Sequence, residues 1–259
     1  MWPVILEIGP LKLYSFGLMA ALAFLAGSQL LRIEFERRKL GVDRWSNYAV
    51  GALLGGFVGA RVNYLITHLD DLKLDPRGAL FSGSGLIWYG GLIGGVLVAY
   101  FFSRRYKQHF GEISDAFSPA LVAAYILGRV GCLVSGDGDY GGPSDLPWAM
   151  AFPNGIVPTT ERVHPTPIYE VLLSLPILAF LWRTRHKNWP VWTQFGVYLT
   201  LTGIERFVVE YWRLNQPGLL GLTTPQQVSV VLVAIGAALW IRGARAEGTA
   251  TARRIVPAG

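Results

Sequence analysis

The sequence predicts an all-α, polytopic membrane protein of about seven transmembrane helices, with the N-terminus outside and the C-terminus in the cytoplasm. Three observations carry this. Of the 259 residues, 52% are hydrophobic and only 15% charged, against roughly 25% charged in an ordinary soluble domain. Apolar runs near the length of about 20 residues that a spanning helix needs recur along the chain. The basic residues gather in short clusters between those runs, as in cytoplasmic loops.

The expected spans are 14–34, 47–68, 85–103, 117–135, 167–183, 194–213 and 226–243. They make a membrane domain over 1–243, and the segment 136–166 is long enough to form a small head between the fourth and fifth spans. The tail, 244–259, is polar and small-residue-rich and is expected to be disordered in the cytoplasm. The opening MWPVILEIGPLKLYSF has no basic lead and no cleavage motif, so it is not read as a cleaved signal peptide. Orientation follows from the cations. Arg32, Arg37, Arg38, Lys39 and Arg44 follow the first span, Arg104, Arg105 and Lys107 the third, Arg183, Arg185 and Lys187 the fifth, and Arg242, Arg245, Arg253 and Arg254 the seventh. The opposite side holds only Lys12, Lys73, Arg77, Arg162 and Arg213. The richer side is cytoplasmic, so the 136–166 head faces out. The net charge of +6 is therefore explained without nucleic acid. A single cysteine excludes an internal disulfide and a CxxC metal site.

Three arginines remain inside spans. Arg61, Arg129 and Arg206 each lie roughly 10 Å below the outer boundary at 1.5 Å per residue. An arginine in the bilayer is costly and is normally paired or lines a polar cavity. A guanidinium suits bidentate contact with phosphate, and outer-leaflet phosphates lie near this depth. The plainer alternative is snorkelling or pairing with carboxylates, and Glu210 stands four residues after Arg206 on the same helix face. Thr202 shares that face, whereas Glu205 points about 100° away. Trp88 and Tyr89 precede two glycine pairs in GLIWYGGLIGG, which suit close approach of a helix or a lipid. His164 and Glu170 in HPTPIYE stand where the head re-enters the membrane, with Pro165 and Pro167 fixing the helix entry. His164 is either a general base or a hydrogen-bonded loop histidine. The loop SGDGDYGG, with Asp137, either wraps a headgroup or is a glycine-rich turn; its aspartates are too few for a calcium loop. Cys132, one turn from Arg129, is either a small buried hydrophobe or a nucleophile whose thiol the arginine activates.

Taken in order, GRVGCLVSGDGDYG, IGPLKLYSFGLM, GARVNYL, GLIWYGGLIGG, HPTPIYE and ERFVVEYWR followed by TTPQQVSV resemble the motifs of the prolipoprotein diacylglyceryl transferases, over nearly the whole chain. The resemblance implies a multi-pass enzyme of the bacterial inner membrane. Its partners would be phosphatidylglycerol, membrane lipid and prolipoprotein signal peptides with a lipobox, and it would move a diacylglyceryl group to the lipobox cysteine thiol, releasing glycerol phosphate. No metal and no cofactor is implied. By position it carries over Arg129, Arg206, Glu210, Arg61, His164, Glu170 and Gly141 or Gly142, and together with the reading of the residues themselves this makes Arg129, Arg206, Glu210, Tyr89 and His164 the catalytic candidates. Arg61, Trp88, Cys132, Asp137, Gly141 or Gly142, Glu170, Thr202 and Glu205 are the substrate-binding ones. The chain departs from the family at Tyr89, where a histidine is usual, at Cys132, where an asparagine is, and at Phe16 and Thr202, both tyrosines in the family. These changes leave open another acceptor or a non-catalytic lipid- or lipoprotein-binding role.

Overall fold

The computed structural model describes residues 1–9, 11–76, 78 and 87–255. The protein is mostly helical. Among the described residues, five helices are long and apolar enough to cross a membrane: Ser15–Arg38, Val42–Thr67, Phe110–Ser135, Thr166–Thr184 and Thr224–Arg245. The two other expected spans are shorter helices, Trp88–Arg105 of 18 residues and Thr193–Val209 of 17. The first of these carries Ser103, Arg104 and Arg105 in its last turn, and the second is interrupted by Glu205 and Arg206. Both features shorten the apolar stretch.

In chain order the helices are α1 (Ser15–Arg38), α2 (Trp45–Thr67), α3 (Leu69–Leu74), α4 (Trp88–Arg105), α5 (Phe110–Ser135), α6 (Thr166–Thr184), α7 (Thr193–Val209) and α8 (Thr224–Ile255). The last helix runs past the 244 boundary of the expected tail. Two small antiparallel hairpins, absent from the expectation, join these helices among the described residues. β1 (Val4–Ile8) pairs with β2 (Leu11–Tyr14), and β3 (Met150–Phe152) pairs with β4 (Thr159–Val163) inside the 136–166 segment. VILEI and LKLY are rich in branched residues and flank a Gly-Pro dipeptide in the sequence, which is a strand–turn–strand signal.

The chain divides into two compact units, Leu31–Ala116 and Met1–Leu30 with Phe117–Gly259. In the first, α2 packs on α4 through glycine. A Cβ on Gly59 or Gly94 would run into the facing backbone, at Gly90 and Gly55 respectively, so only glycine lets these helices approach so closely. Tyr48 is fully buried among Phe35, Phe102 and Tyr106, and its hydroxyl donates to Gln108 Oε1 at 2.9 Å. Glu34, also fully buried, accepts from Arg37 and Arg38.

In the other unit an apolar core of Val122, Ile126, Ile177, Leu181 and Val197 joins α5, α6 and α7. Gly131 of α5 lies against Met19 and Phe16 of α1. Gly196 and Gly236 bring α7 and α8 together, since a Cβ on either would meet the other's carbonyl. The first turn of α8 is fixed by a reciprocal cap. Gln226 N–H donates to Thr223 Oγ1 at 3.3 Å, and Thr223 N–H donates to Gln226 Oε1 at 3.0 Å.

Candidate functional site

Above the core of α5, α6 and α7, six charged side chains close a ring. Starting on α5, the Arg129 guanidinium meets Asp139 of the following loop and Glu170 of α6. Glu170 also meets Arg206 of α7, at 2.6 Å. Arg206 reaches Glu210 at 3.0 Å, Glu210 faces Arg213 at 3.7 Å, and Arg213 returns to Asp139 at 2.5 Å. Cation and anion alternate at every step, three of each.

The six edges are unequal. Arg129–Asp139, Arg206–Glu170 and Arg213–Asp139 are hydrogen bonds. The other three are close charge pairs without hydrogen-bond alignment, and Glu170 Oε2, Glu210 Oε2 and Arg213 Nε accept or donate none. The ring is supported from outside. Tyr125 donates to Glu170 Oε1 at 3.0 Å, and its ring lies 4.9 Å beneath the Arg129 guanidinium. Asn215 and Thr223 donate to Glu210 Oε1 at 2.5 and 2.9 Å. Glu170 and Glu210 are wholly buried on helices, while Asp139 on its loop keeps a third of its side chain exposed. Burial raises the Asp139 carboxyl, but Arg213 and Arg129 outweigh it and hold the group below the ordinary carboxylate range.

The arrangement unites four of the residues singled out from the sequence: Arg129, Glu170, Arg206 and Glu210. Its third cation is Arg213, which the sequence reading counted as an outer-loop charge, three residues after Glu210. Its third anion, Asp139, lies in the loop where two aspartates alternate with glycines. Asp137 does not join the ring; its Oδ1 accepts from the Asp139 N–H at 3.2 Å and so shapes the turn. Gly136 and Gly138 in that turn take positive φ, +60° and +94°, a region that glycine enters without steric cost.

Glu205 is 5% exposed, and its Oε1 accepts no hydrogen bond. The charges acting on it are those of Glu170, Arg206 and Arg129. Thr202 turns its hydroxyl back to the carbonyl of Tyr198, at 2.7 Å. Cys132 is buried, with Sγ 3.9 Å from Arg129 Nη1. Its sulfur and the Asp137 and Asp139 carboxylates lie within 4.8 Å of one another. Both Asp139 oxygens already serve arginines, Asp137 Oδ1 accepts from the Asp139 N–H and Cys132 Sγ faces Arg129, so these donors are already engaged with protein groups. His164 belongs to an aromatic cluster: its Nδ1 is 3.1 Å from the Tyr169 hydroxyl, Tyr169 accepts from Trp148 Nε1 at 2.8 Å, and Trp212 packs beside both. The two glycines of the loop are distinguished by packing. A Cβ on Gly141 would strike the Trp212 carbonyl, His164 and Thr166, whereas one on Gly142 would merely touch Leu214.

Arg61, Trp88 and Tyr89 lie in the Leu31–Ala116 unit. Arg61 is buried on α2, with Nη2 3.4 Å from the Gly78 carbonyl and its guanidinium 5.4 Å from the Tyr64 ring. Trp88 and Tyr89 open α4 as an exposed edge-to-face pair. The glycine pairs after them serve the helix contact described above.

Comparison with known proteins gives the site its setting. The family model described as prolipoprotein diacylglyceryl transferase matches residues 3–242. The chain belongs to the prolipoprotein diacylglyceryl transferase family. It is 31% identical to the phosphatidylglycerol–prolipoprotein diacylglyceryl transferase of Clostridium tetani, over 91% of this chain and 95% of that one. It is 30% identical to the protein of the same name from Marinomonas sp., over 93% and 92%, and 31% identical to that of Pseudomonas paraeruginosa, over 92% of each. All six members of the ring lie within the stretch that the diacylglyceryl transferase model matches.

Proposed function

We propose that this protein is a phosphatidylglycerol–prolipoprotein diacylglyceryl transferase of a bacterial inner membrane. It crosses the bilayer seven times with the N-terminus out, the shorter helices α4 and α7 included, and the ring faces the outer leaflet. Its acceptor is the thiol of a lipobox cysteine in a prolipoprotein signal peptide.

The reaction is a displacement at carbon. The acceptor sulfur forms a bond to the glyceryl CH₂ of the lipid, the bond from that carbon to phosphate oxygen breaks, and glycerol phosphate leaves. Negative charge grows on the departing phosphate, so fixed cations aimed at it lower the barrier. Arg129 and Arg206 supply them, and Glu170, bridging both, sets their spacing. The thiol proton needs an acceptor. Glu205 is our assignment, because its buried Oε1 is uncommitted and it lies within the field of both arginines. Tyr89 is a poor base at neutral pH, a phenol having a pKa near 10.

The observation that carries this reading is the arginine–carboxylate ring within a chain that matches the family nearly end to end. The test is a mass shift. Purified protein in detergent is mixed with phosphatidylglycerol and a peptide bearing one lipobox cysteine. A diacylglyceryl adduct on the peptide is expected. A protein that binds the lipid yet forms no adduct would overturn the transfer.

A further inference from the structure

Resting on that reading, we infer that the Asp139 carboxylate is a placeholder for the lipid phosphodiester. It fills the gap between Arg129 and Arg213 in the empty site and turns out when the headgroup enters.

The geometry comes first. One Asp139 oxygen takes Arg129 Nη1 and the other takes Arg213 Nη2, the latter at 2.5 Å. Two guanidiniums on the two oxygens of one anion are what the non-bridging oxygens of a phosphodiester would also receive. Charge is the second argument. The ring closes with three cations and three anions. Adding a phosphodiester monoanion would leave an excess negative charge in poorly hydrated surroundings, where an uncompensated charge is expensive. Release of one carboxylate to water restores the balance.

Only one of the three can leave. Glu170 and Glu210 are wholly buried on their helices, and each takes further hydrogen bonds from Tyr125 or from Asn215 and Thr223. Asp139 is the exposed member and sits on a loop. Its backbone is held independently of its carboxylate, whose only side-chain partners among the described residues are the two arginines. The Asp139 carbonyl accepts from Thr166 Oγ1 at 2.5 Å and from Arg213 Nη1 at 3.1 Å. A rotation of the side chain alone therefore frees Arg213 Nη2 and Arg129 Nη1. Arg213 stays anchored through Nη1, with its freed edge towards the entering phosphate. Arg213 thereby becomes a phosphate ligand beside Arg129.

Asp139→Asn tests this, with the smaller, uncharged Asp139→Ser as a second variant. Phosphatidylglycerol binding is titrated in detergent by native mass spectrometry, and transfer to the peptide is followed in the same preparations. The placeholder predicts tighter lipid binding, by about tenfold, in at least one variant, and a smaller gain when Arg213→Gln is added. If Asp139 only braces the arginines, both variants bind the lipid equally or more weakly, and the inference fails. Inorganic phosphate is titrated in parallel; a gain with it and none with the lipid would also overturn the inference. The two readings separate cleanly. A wild-type protein that makes adduct, with no gain in the variants, removes the placeholder and leaves the transferase. A wild-type protein that makes none, with a gain in the variants, removes the transferase and leaves the site.

Discussion

The α2–α4 pair and the α5–α6–α7 group fasten helices by opposite means. The first uses glycine: Gly55, Gly59, Gly90 and Gly94 remove side chains until backbones touch. The second uses charge: Arg129, Glu170, Arg206 and Glu210 project side chains inward until they pair. A glycine contact has one partner and nothing to exchange. An ion pair can trade one anion for another. Association of helices in lipid needs close packing, and the glycine contact supplies it with no chemistry. The ring holds its helices and also keeps guanidiniums that another anion can claim.

The sharpest way to break this contrast is to remove a cation. Arg129→Ala and Arg206→Ala should each cut peptide modification by at least about 10²-fold, the typical loss on deleting one charge-stabilising donor. Both proteins should still be found in the membrane fraction. Full activity in either variant would remove the phosphate role from the ring. Next comes Gly59→Leu, which forces a side chain against the Gly90 backbone. The expectation is a loss of about 1–3 kcal/mol, typical of overpacking, seen as a lower melting midpoint in detergent, with activity falling only as folded protein is lost. A variant that melts as wild type but cannot transfer would mean that the glycine contact serves the chemistry too.

Acid gives a smaller effect with a defined sign. The Asp139 carboxyl is held low in the folded protein. Its contribution to stability is complete above the ordinary carboxylate range near pH 4 and disappears as pH falls through the lowered folded value. Melting midpoints below pH 4 should therefore fall more steeply for wild type than for Asp139→Asn; parallel curves would show that the pairing does not stabilise the fold. The smallest effect is expected at Cys132. Cys132→Ser should keep transfer within a few-fold, because the thiol is a buried neighbour of Arg129. Loss of all transfer, with lipid mass on the wild-type protein itself, would make Cys132 a nucleophile.

Much of this was legible in the sequence. Charges are rare in the apolar runs, so Arg129, Arg206, Glu170 and Glu210 announce themselves, and the four-residue spacing of Arg206 and Glu210 forecasts their contact. Pairing with carboxylates, the plainer of the two readings of these arginines, is what the structure contains. Asp139 was not legible, because a loop with glycines at positive φ has no period from which to place a side chain. Arg213 was hidden by its position: it follows the last turn of α7, where a cation is ordinary, and only the three-residue step from Glu210 hints at its partner. The hairpins escaped for another reason. Strands of three to five residues beside a turn weigh little next to apolar runs of span length. His164 and Thr202, singled out as functional candidates, have hydrogen-bond partners that account for them locally.

The order in which the ring's members appear along the chain has a consequence for biogenesis. Arg129 is synthesised before Glu170, Arg206, Glu210 and Arg213, so a nascent chain carries it towards the bilayer with most of the ring still unmade. Asp139, ten residues later, is the first partner to emerge. A short closure is entropically cheaper than a long one, so this pair can neutralise the arginine before α6 and α7 have been made. The aspartate that makes way for lipid in the finished protein would then have begun as the escort that lets its arginine enter.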